Sequence, residues 1–112
     1  MNVGRTFYFD ASHHLPAYKG KCEQLHGHTY RLDVVIEGAV GKEGMVLDFN
    51  EIGRLVESAV IEKLDHQDLN ELIKNPTAEN IAEWIWKQLS SKLKLHSIKL
   101  YEGRGKWVEK TQ

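Results

Sequence analysis

The chain has 112 residues, 41% of them hydrophobic and 28% charged, with a formal net charge of −1, which suits one soluble domain over residues 1–112. The near-neutral balance argues against a nucleic-acid binder that works by neutralising phosphates, and the lone cysteine, Cys22, excludes an internal disulfide. No apolar run approaches membrane-spanning length and the first residues lack the apolar stretch of a signal peptide, so the expected location is the cytoplasm, with neither membrane nor nucleic acid as partner.

In chain order, Thr6 to His13 alternates, with Phe7, Phe9, Ala11 and His13 on one parity, and predicts a strand. Alternation resumes on the even positions His26, His28, Tyr30, Leu32, Val34 and Ile36, a second strand whose other face carries Thr29, Arg31 and Asp33. Glycines between Gly38 and Gly44 mark a turn. Asp48, with Glu51 three residues on, reads as a helix cap, and Phe49, Ile52, Val56, Ala59, Val60 and Leu64 follow helical spacing. A loop through Asp65–Asn70 leads to Pro76-Thr77, where Thr77 caps a second helix with apolar positions Ala78, Ile81, Ala82, Ile85, Leu89 and Leu93. A third strand is expected at Ser97 to Glu102, then a turn through Gly103-Arg104-Gly105 and a short fourth strand near Lys106 to Glu109. The order ββααββ predicts an α+β domain: a four-stranded antiparallel sheet with two helices on one face. Its open edges invite closure by oligomerisation.

His26 and His28 lie two apart on one strand, so their rings share a face, and His13 ends the neighbouring strand on its apolar face. If the two strands pair, three imidazoles converge, and three neutral imidazoles with an open position are the pattern of a catalytic zinc site. The competing reading is a strand that happens to hold packed histidines. His14 falls on the opposite face, and His96 reads as a surface histidine. Cys22 sits four residues before His26 in a loop with Lys19 and Lys21, where nearby cations raise the thiolate fraction; the alternative is a small buried apolar residue. Asp65-His66 is either a carboxylate-oriented proton donor and acceptor or a histidine complementing a helix C-terminus. Glu102 extends the apolar stripe of Ile98 and Leu100, so its carboxylate must find donors, such as a heterocycle's amino group and ring N–H, or turn to solvent. Thr77 and Glu79 are explained by helix capping and the dipole alone. Trp84 and Trp86 read as core and interface residues.

Several segments in order, Phe9-Asp10-Ala11-Ser12-His13, Cys22-x-x-x-His26-Gly27-His28, Gly44-Met45-Val46-Leu47-Asp48-Phe49, Leu64-Asp65-His66-x-x-Leu69-Asn70, Pro76-Thr77-Ala78-Glu79-Asn80 and Tyr101-Glu102, resemble the family of 6-pyruvoyltetrahydropterin and 6-carboxytetrahydropterin synthases. The resemblance implies a tunnelling fold whose subunits close their sheets into a barrel, a homohexamer built as a dimer of trimers, and active sites between subunits. It implies His13, His26 and His28 as Zn2+ ligands, Cys22 as base, Asp65 and His66 as proton relay, Glu102 as anchor of the pterin ring, and Thr77 and Glu79 at the rim of the pterin pocket. The implied substrate is 7,8-dihydroneopterin triphosphate; the short Cys-x-x-x-His-Gly-His spacing is similar to that of the carboxypterin enzymes of the queuosine pathway. Glu23-x-x-His-Gly-His also resembles a variant with glutamate as base that cleaves the side chain to 6-hydroxymethyl-dihydropterin for folate. The rivals are therefore the biopterin-type synthase, the folate-type cleavage and a non-catalytic metal- or pterin-binding protein; Cys22, Asp65 and His66 together speak against the last. Gly103 stands where many family members have threonine.

Overall fold

The structure, a computed structural model, describes residues 1–16 and 24–112. Cys22 and Glu23, with Lys19 and Lys21, lie outside the described residues.

Strands β1 (Asn2–His13) and β2 (His26–Glu37) form a long antiparallel ladder, in register from Asn2 opposite Glu37 to His13 opposite His26. The first strand starts earlier than its apolar alternation suggests, because Arg5 interrupts the apolar parity between Val3 and Phe7; beside it, Gly4 lies on the outward parity. A Cβ there would stand 2.7 Å from the Val34 carbonyl, so the bare backbone lets the two strands approach. Phe7, Phe9 and Ala11 face inward beside Tyr30, Leu32, Val34 and Ile36, as the parity requires.

Helix α1 (Phe49–Val56) starts where Asp48 accepts a hydrogen bond from the Asn50 amide at 2.8 Å. Glu51 does not reach back to complete a capping box; it pairs instead with Arg54, whose Nε donates at 3.1 Å. A π-helical turn, Glu57–Ile61, joins α1 to the short α2 (Glu62–Leu64) and keeps Ala59, Val60 and Ile61 in the core. Helix α3 (Ala78–Leu89) is capped by the Thr77 hydroxyl, which accepts from the Asn80 amide at 3.1 Å. It stops short of Leu93, which nonetheless reaches the core from the following turn.

Between the helices the chain adds an element that the sequence pattern did not show. Gln67–Asp68 forms a two-residue strand, β3, parallel to β1 at Ala11 and Ser12. Two residues are too few to display a period. Strands β4 (Leu95–Glu102) and β5 (Trp107–Thr111) complete a sheet of order β3-β1-β2-β4-β5, the four long strands pairing antiparallel as expected. The β4–β5 turn passes through Gly103 at φ 75°, a left-handed conformation that threonine adopts only with strain, which gives the glycine at this position a backbone reason.

Ile52, Val56, Val60, Ile81, Ile85 and Leu89 of the helices are buried with the inward residues of the strands. Each such side chain contributes roughly 1.5–3 kcal/mol on burial. The other face of the sheet is polar and aromatic: the Arg31 guanidinium lies 4.7 Å from the centre of the Tyr101 ring and Lys99 Nζ lies 3.9 Å from that of Trp107. Among the described residues, no helix is long and apolar enough to cross a membrane.

Candidate active site

The ladder brings the three imidazoles together. His13 is directly opposite His26, and His28 lies opposite Ala11, two residues back along β1 on the same face. The ring centres of the three histidines stand 4.5, 4.8 and 5.0 Å apart, and one nitrogen from each lies within 4.8 Å of the others.

Hydrogen bonds fix which nitrogens are free. His13, 1% exposed, donates its Nδ1–H to the Pro76 carbonyl at 2.7 Å, and His26 donates its Nδ1–H to the Gln24 carbonyl, also at 2.7 Å. A carbonyl only accepts, so in the neutral rings both Nε2 atoms carry bare lone pairs. These two nitrogens face each other at 3.0 Å. Two imidazole nitrogens bound at zinc–nitrogen distances of ~2.0–2.1 Å on a tetrahedral ion stand about 3.3 Å apart, so the pair is already near a chelating geometry. A shared proton could satisfy these two nitrogens but not the third. His28 Nε2 is buried without a hydrogen-bond partner among the described residues: Glu102 Oε1 is 3.2 Å away but off the direction of the ring nitrogen. Burial holds His28 below the ordinary histidine pKa, Glu102 opposing and His13, His26 and Lys106 adding to the shift, which leaves the ring neutral and able to bind a cation. The residues therefore fit a metal ion, with the Pro76 and Gln24 carbonyls orienting two of the ligands from behind.

Glu102 comes from β4, whose register sets it opposite Tyr30 and so diagonal to His28 on the same face. The Tyr30 hydroxyl is buried between this carboxylate and His13 Nδ1, 3.4 Å away, and burial, then the Glu102 charge, push its pKa well up.

Asp65 and His66 form a second, separate cluster. Asp65 ends the helical segment, and His66 follows it at φ 59°, the left-handed position that glycine usually takes after a helix. The edge of the sheet holds them there: the His66 amide donates to the Asp10 carbonyl at 2.6 Å, and the Asp10 amide donates to Asp65 Oδ1 at 2.9 Å. Asp65 Oδ2 then meets His66 Nδ1 at 3.0 Å. The hydrogen bond from the Asp10 amide holds the Asp65 carboxyl below its usual range against the opposing effect of burial, with His66 adding smaller contributions in the same direction as Asp10. The His66 side chain is 78% exposed. It borders an open cleft of about 540 Å³ with Asp10, Ser12, His28, Thr29 and Asp68. Asp10 itself accepts from the Thr29 hydroxyl at 2.5 Å.

The remaining expected site residues have local tasks. Thr77 caps α3 and Glu79 is exposed in its first turn, one helix start away from the Pro76 carbonyl that holds His13. His14 is set aside by Asn70, whose Oδ1 accepts from the His14 amide at 2.9 Å and whose Nδ2 donates to its carbonyl at 3.0 Å. His96 is half-exposed on β4, 3.8 Å from Glu37. Sequence reasoning missed the supporting carbonyls of Gln24 and Pro76 and the clamp at Asp10. Backbone groups leave no side-chain signature, although the Pro-Thr cap marked where one of them sits.

A three-imidazole cradle at one end of an antiparallel sheet, with a carboxylate–imidazole pair fixed at the sheet edge, defines an α+β protein with a histidine cluster that could hold a metal ion. The sequence profile of the 6-pyruvoyl tetrahydropterin synthase family matches residues 2–112, and the chain belongs to that family. It is 43% identical over 105 residues to a dihydroneopterin monophosphate aldolase of Pyrococcus furiosus, covering 90% of this chain and 89% of the relative. It is 37% identical over 109 residues to a 6-carboxy-5,6,7,8-tetrahydropterin synthase of Synechocystis, covering 89% of this chain and 84% of the relative. The structure of Caenorhabditis elegans 6-pyruvoyl tetrahydropterin synthase shares the fold, with a TM-score of 0.90 at 24% identity over 100% of this chain and 95% of that one.

Proposed function

We propose that this protein is a zinc-dependent lyase that converts 7,8-dihydroneopterin triphosphate to 6-carboxy-5,6,7,8-tetrahydropterin. The observation that carries the reading is the pair of lone-pair-bearing nitrogens of His13 and His26 beside the His28 nitrogen, which has no hydrogen-bond partner among the described residues. Zinc suits a set of neutral imidazoles, and when bound it supplies a Lewis acid that acidifies the hydroxyls and the adjacent C–H of the substrate side chain. Glu102 anchors the pterin, its carboxylate accepting from the ring N–H and amino group. Cys22 takes a proton from the side chain, and Glu23 beside it is a second candidate base. His66 returns a proton, with Asp65 fixing its tautomer. Thr77 and Glu79 border the ring.

The exposed ring of His66, whose nitrogens do not converge with those of the three imidazoles, supports an assembly in which the relay of one subunit serves the cradle of another. Sheet edges at β3 and β5 and the exposed Tyr8 and Trp107 support closure into a homohexamer.

A second reading has its own support. The relative in Pyrococcus furiosus is named an aldolase acting on dihydroneopterin monophosphate, and Glu23 stands next to Cys22. Side-chain cleavage to 6-hydroxymethyl-dihydropterin is the corresponding activity. Zinc-loaded protein incubated separately with the triphosphate and the monophosphate distinguishes the two. Carboxytetrahydropterin from the triphosphate is the expected product. Hydroxymethyl-dihydropterin from the monophosphate alone would replace the first reading with the second, and no turnover of either would remove both.

A further inference from the structure

Glu102 is placed where two tasks meet. Its side chain is 20% exposed, and no hydrogen bond to its carboxylate occurs among the described residues. The nearest polar atom of the cradle is His28 Nε2, at 3.2 Å. That contact is not a hydrogen bond, because the oxygen stands beside the nitrogen's lone-pair direction rather than on it. An ion bound to His28 Nε2 would lie on that direction, with the carboxylate at its flank. Glu102 meets the cluster at His28 and is not among the three residues whose ligand atoms already converge, so ligation requires a turn of its carboxylate, whose terminal torsion is soft. Three neutral imidazoles leave a divalent cation with its full charge and one open position, and a carboxylate oxygen answers both needs.

We propose that Glu102 is a fourth, displaceable ligand of the metal held by His13, His26 and His28, and that it leaves the ion when the pterin ring claims its carboxylate. The inference rests on the reading that these histidines bind a metal and that Glu102 anchors the ring. It adds a coupling between the two. With no pterin present the ion is closed by four protein ligands. Binding of the ring draws the carboxylate away and opens the position that the substrate side chain then occupies. A molecule with the hydroxylated side chain but no pterin ring would meet a closed ion, so the same residue would select for the intact substrate.

The test measures metal binding rather than turnover. Metal-free protein competes with a zinc-chelating dye for Zn2+, and Glu102→Gln is expected to weaken affinity by about tenfold or more. Glu102→Asp, which keeps the charge but shortens the reach, is expected to lose affinity as well. An unchanged affinity in both variants overturns the proposal, and so does a loss in Glu102→Gln that Glu102→Asp restores, since that marks attraction at a distance rather than ligation. In Co2+-loaded wild-type protein, unsubstituted pterin should change the visible absorption of the metal, and the Glu102→Gln protein should show no such change. An unchanged wild-type spectrum at saturating pterin overturns the displacement. Thermal unfolding checks that each variant folds; if Glu102→Gln does not, the shortened variant and the wild-type spectrum carry the test. Failure of the underlying metal reading looks different: His26→Ala would then hold Zn2+ as well as the wild type does.

Discussion

The imidazole cradle and the Asp65–His66 pair are both built from histidines, but the fold secures them in opposite ways. The cradle is positioned by the sheet itself. Its rings come from adjacent positions on a continuous antiparallel ladder, one of them fully buried, and two are locked by backbone carbonyls. The Asp65–His66 pair sits at the sheet edge, just before a two-residue strand, with the His66 ring exposed and its backbone in a conformation that costs about 1–3 kcal/mol for a residue with a side chain. A metal site needs fixed distances, and a regular ladder supplies them. On the proposed reading His66 serves a neighbouring subunit and needs reach, and an edge supplies that at some cost in stability.

Substitutions can pull the two regions apart. The largest effect is expected for His26→Ala, which removes one nitrogen of the facing pair: bound zinc, measured by elemental analysis after gel filtration, should fall to near zero, and turnover with it. Zinc retained at wild-type stoichiometry would refute the cradle. His66→Gln should leave zinc content unchanged and lower kcat by about 10²–10⁴-fold, the usual contribution of a positioned acid or base; a loss of metal in this variant would merge the two regions into one. His66→Gly should go the other way in stability, raising it by about 1 kcal/mol in denaturant unfolding because glycine accepts the left-handed conformation freely, while activity is lost. A destabilised glycine variant would mean that the ring contributes more than the backbone strain removes.

The smallest effect concerns pH. The Asp65 carboxyl has a folded pKa below its unfolded value, so the unfolded chain binds its proton first as the solution is acidified. Its contribution is fully present above the ordinary carboxylate pKa of about 4 and disappears as pH falls through the lower folded value. The melting temperatures of wild type and Asp65→Asn should therefore differ most near neutrality and converge in acid. A difference that grew on acidification would contradict the direction of the shift.

What the sequence revealed follows the same division. Parity along β1 and β2 put His13 on the apolar face of its strand and His26 and His28 on one face of theirs, and parity along β4 put Glu102 on the apolar stripe of Ile98 and Leu100, because a strand's period is short and its polar interruptions stand out; the ladder then brought Glu102 beside His28. The exact opposition of His13 and His26 required the ladder. The edge was less legible. Asp65-His66 could be noticed as a pair, but nothing in Gln67-Asp68 announces a strand, and a left-handed histidine has no compositional mark where glycine is the usual choice. The π-helical turn at Glu57–Ile61 was hidden for a similar reason, since one extra residue in a turn barely disturbs the apolar spacing around it. The family resemblance named roles for Cys22 and Glu23, which lie outside the described residues, and for Thr77 and Glu79, whose local geometry is that of a helix start.

The unbroken register from Asn2–Glu37 to His13–His26 has a consequence for how the chain assembles. In a β-hairpin a slip of one residue turns a strand's side chains to the opposite face. A slipped β1 would carry His13 away from His26 and His28, and no ion could join them. A metal held there would be a register gauge: only the correctly paired strands gather all three nitrogens, so an ion captured during folding would add its binding energy to that pairing and to no other. The same atoms that prepare the ion for chemistry would proofread the longest ladder in the sheet.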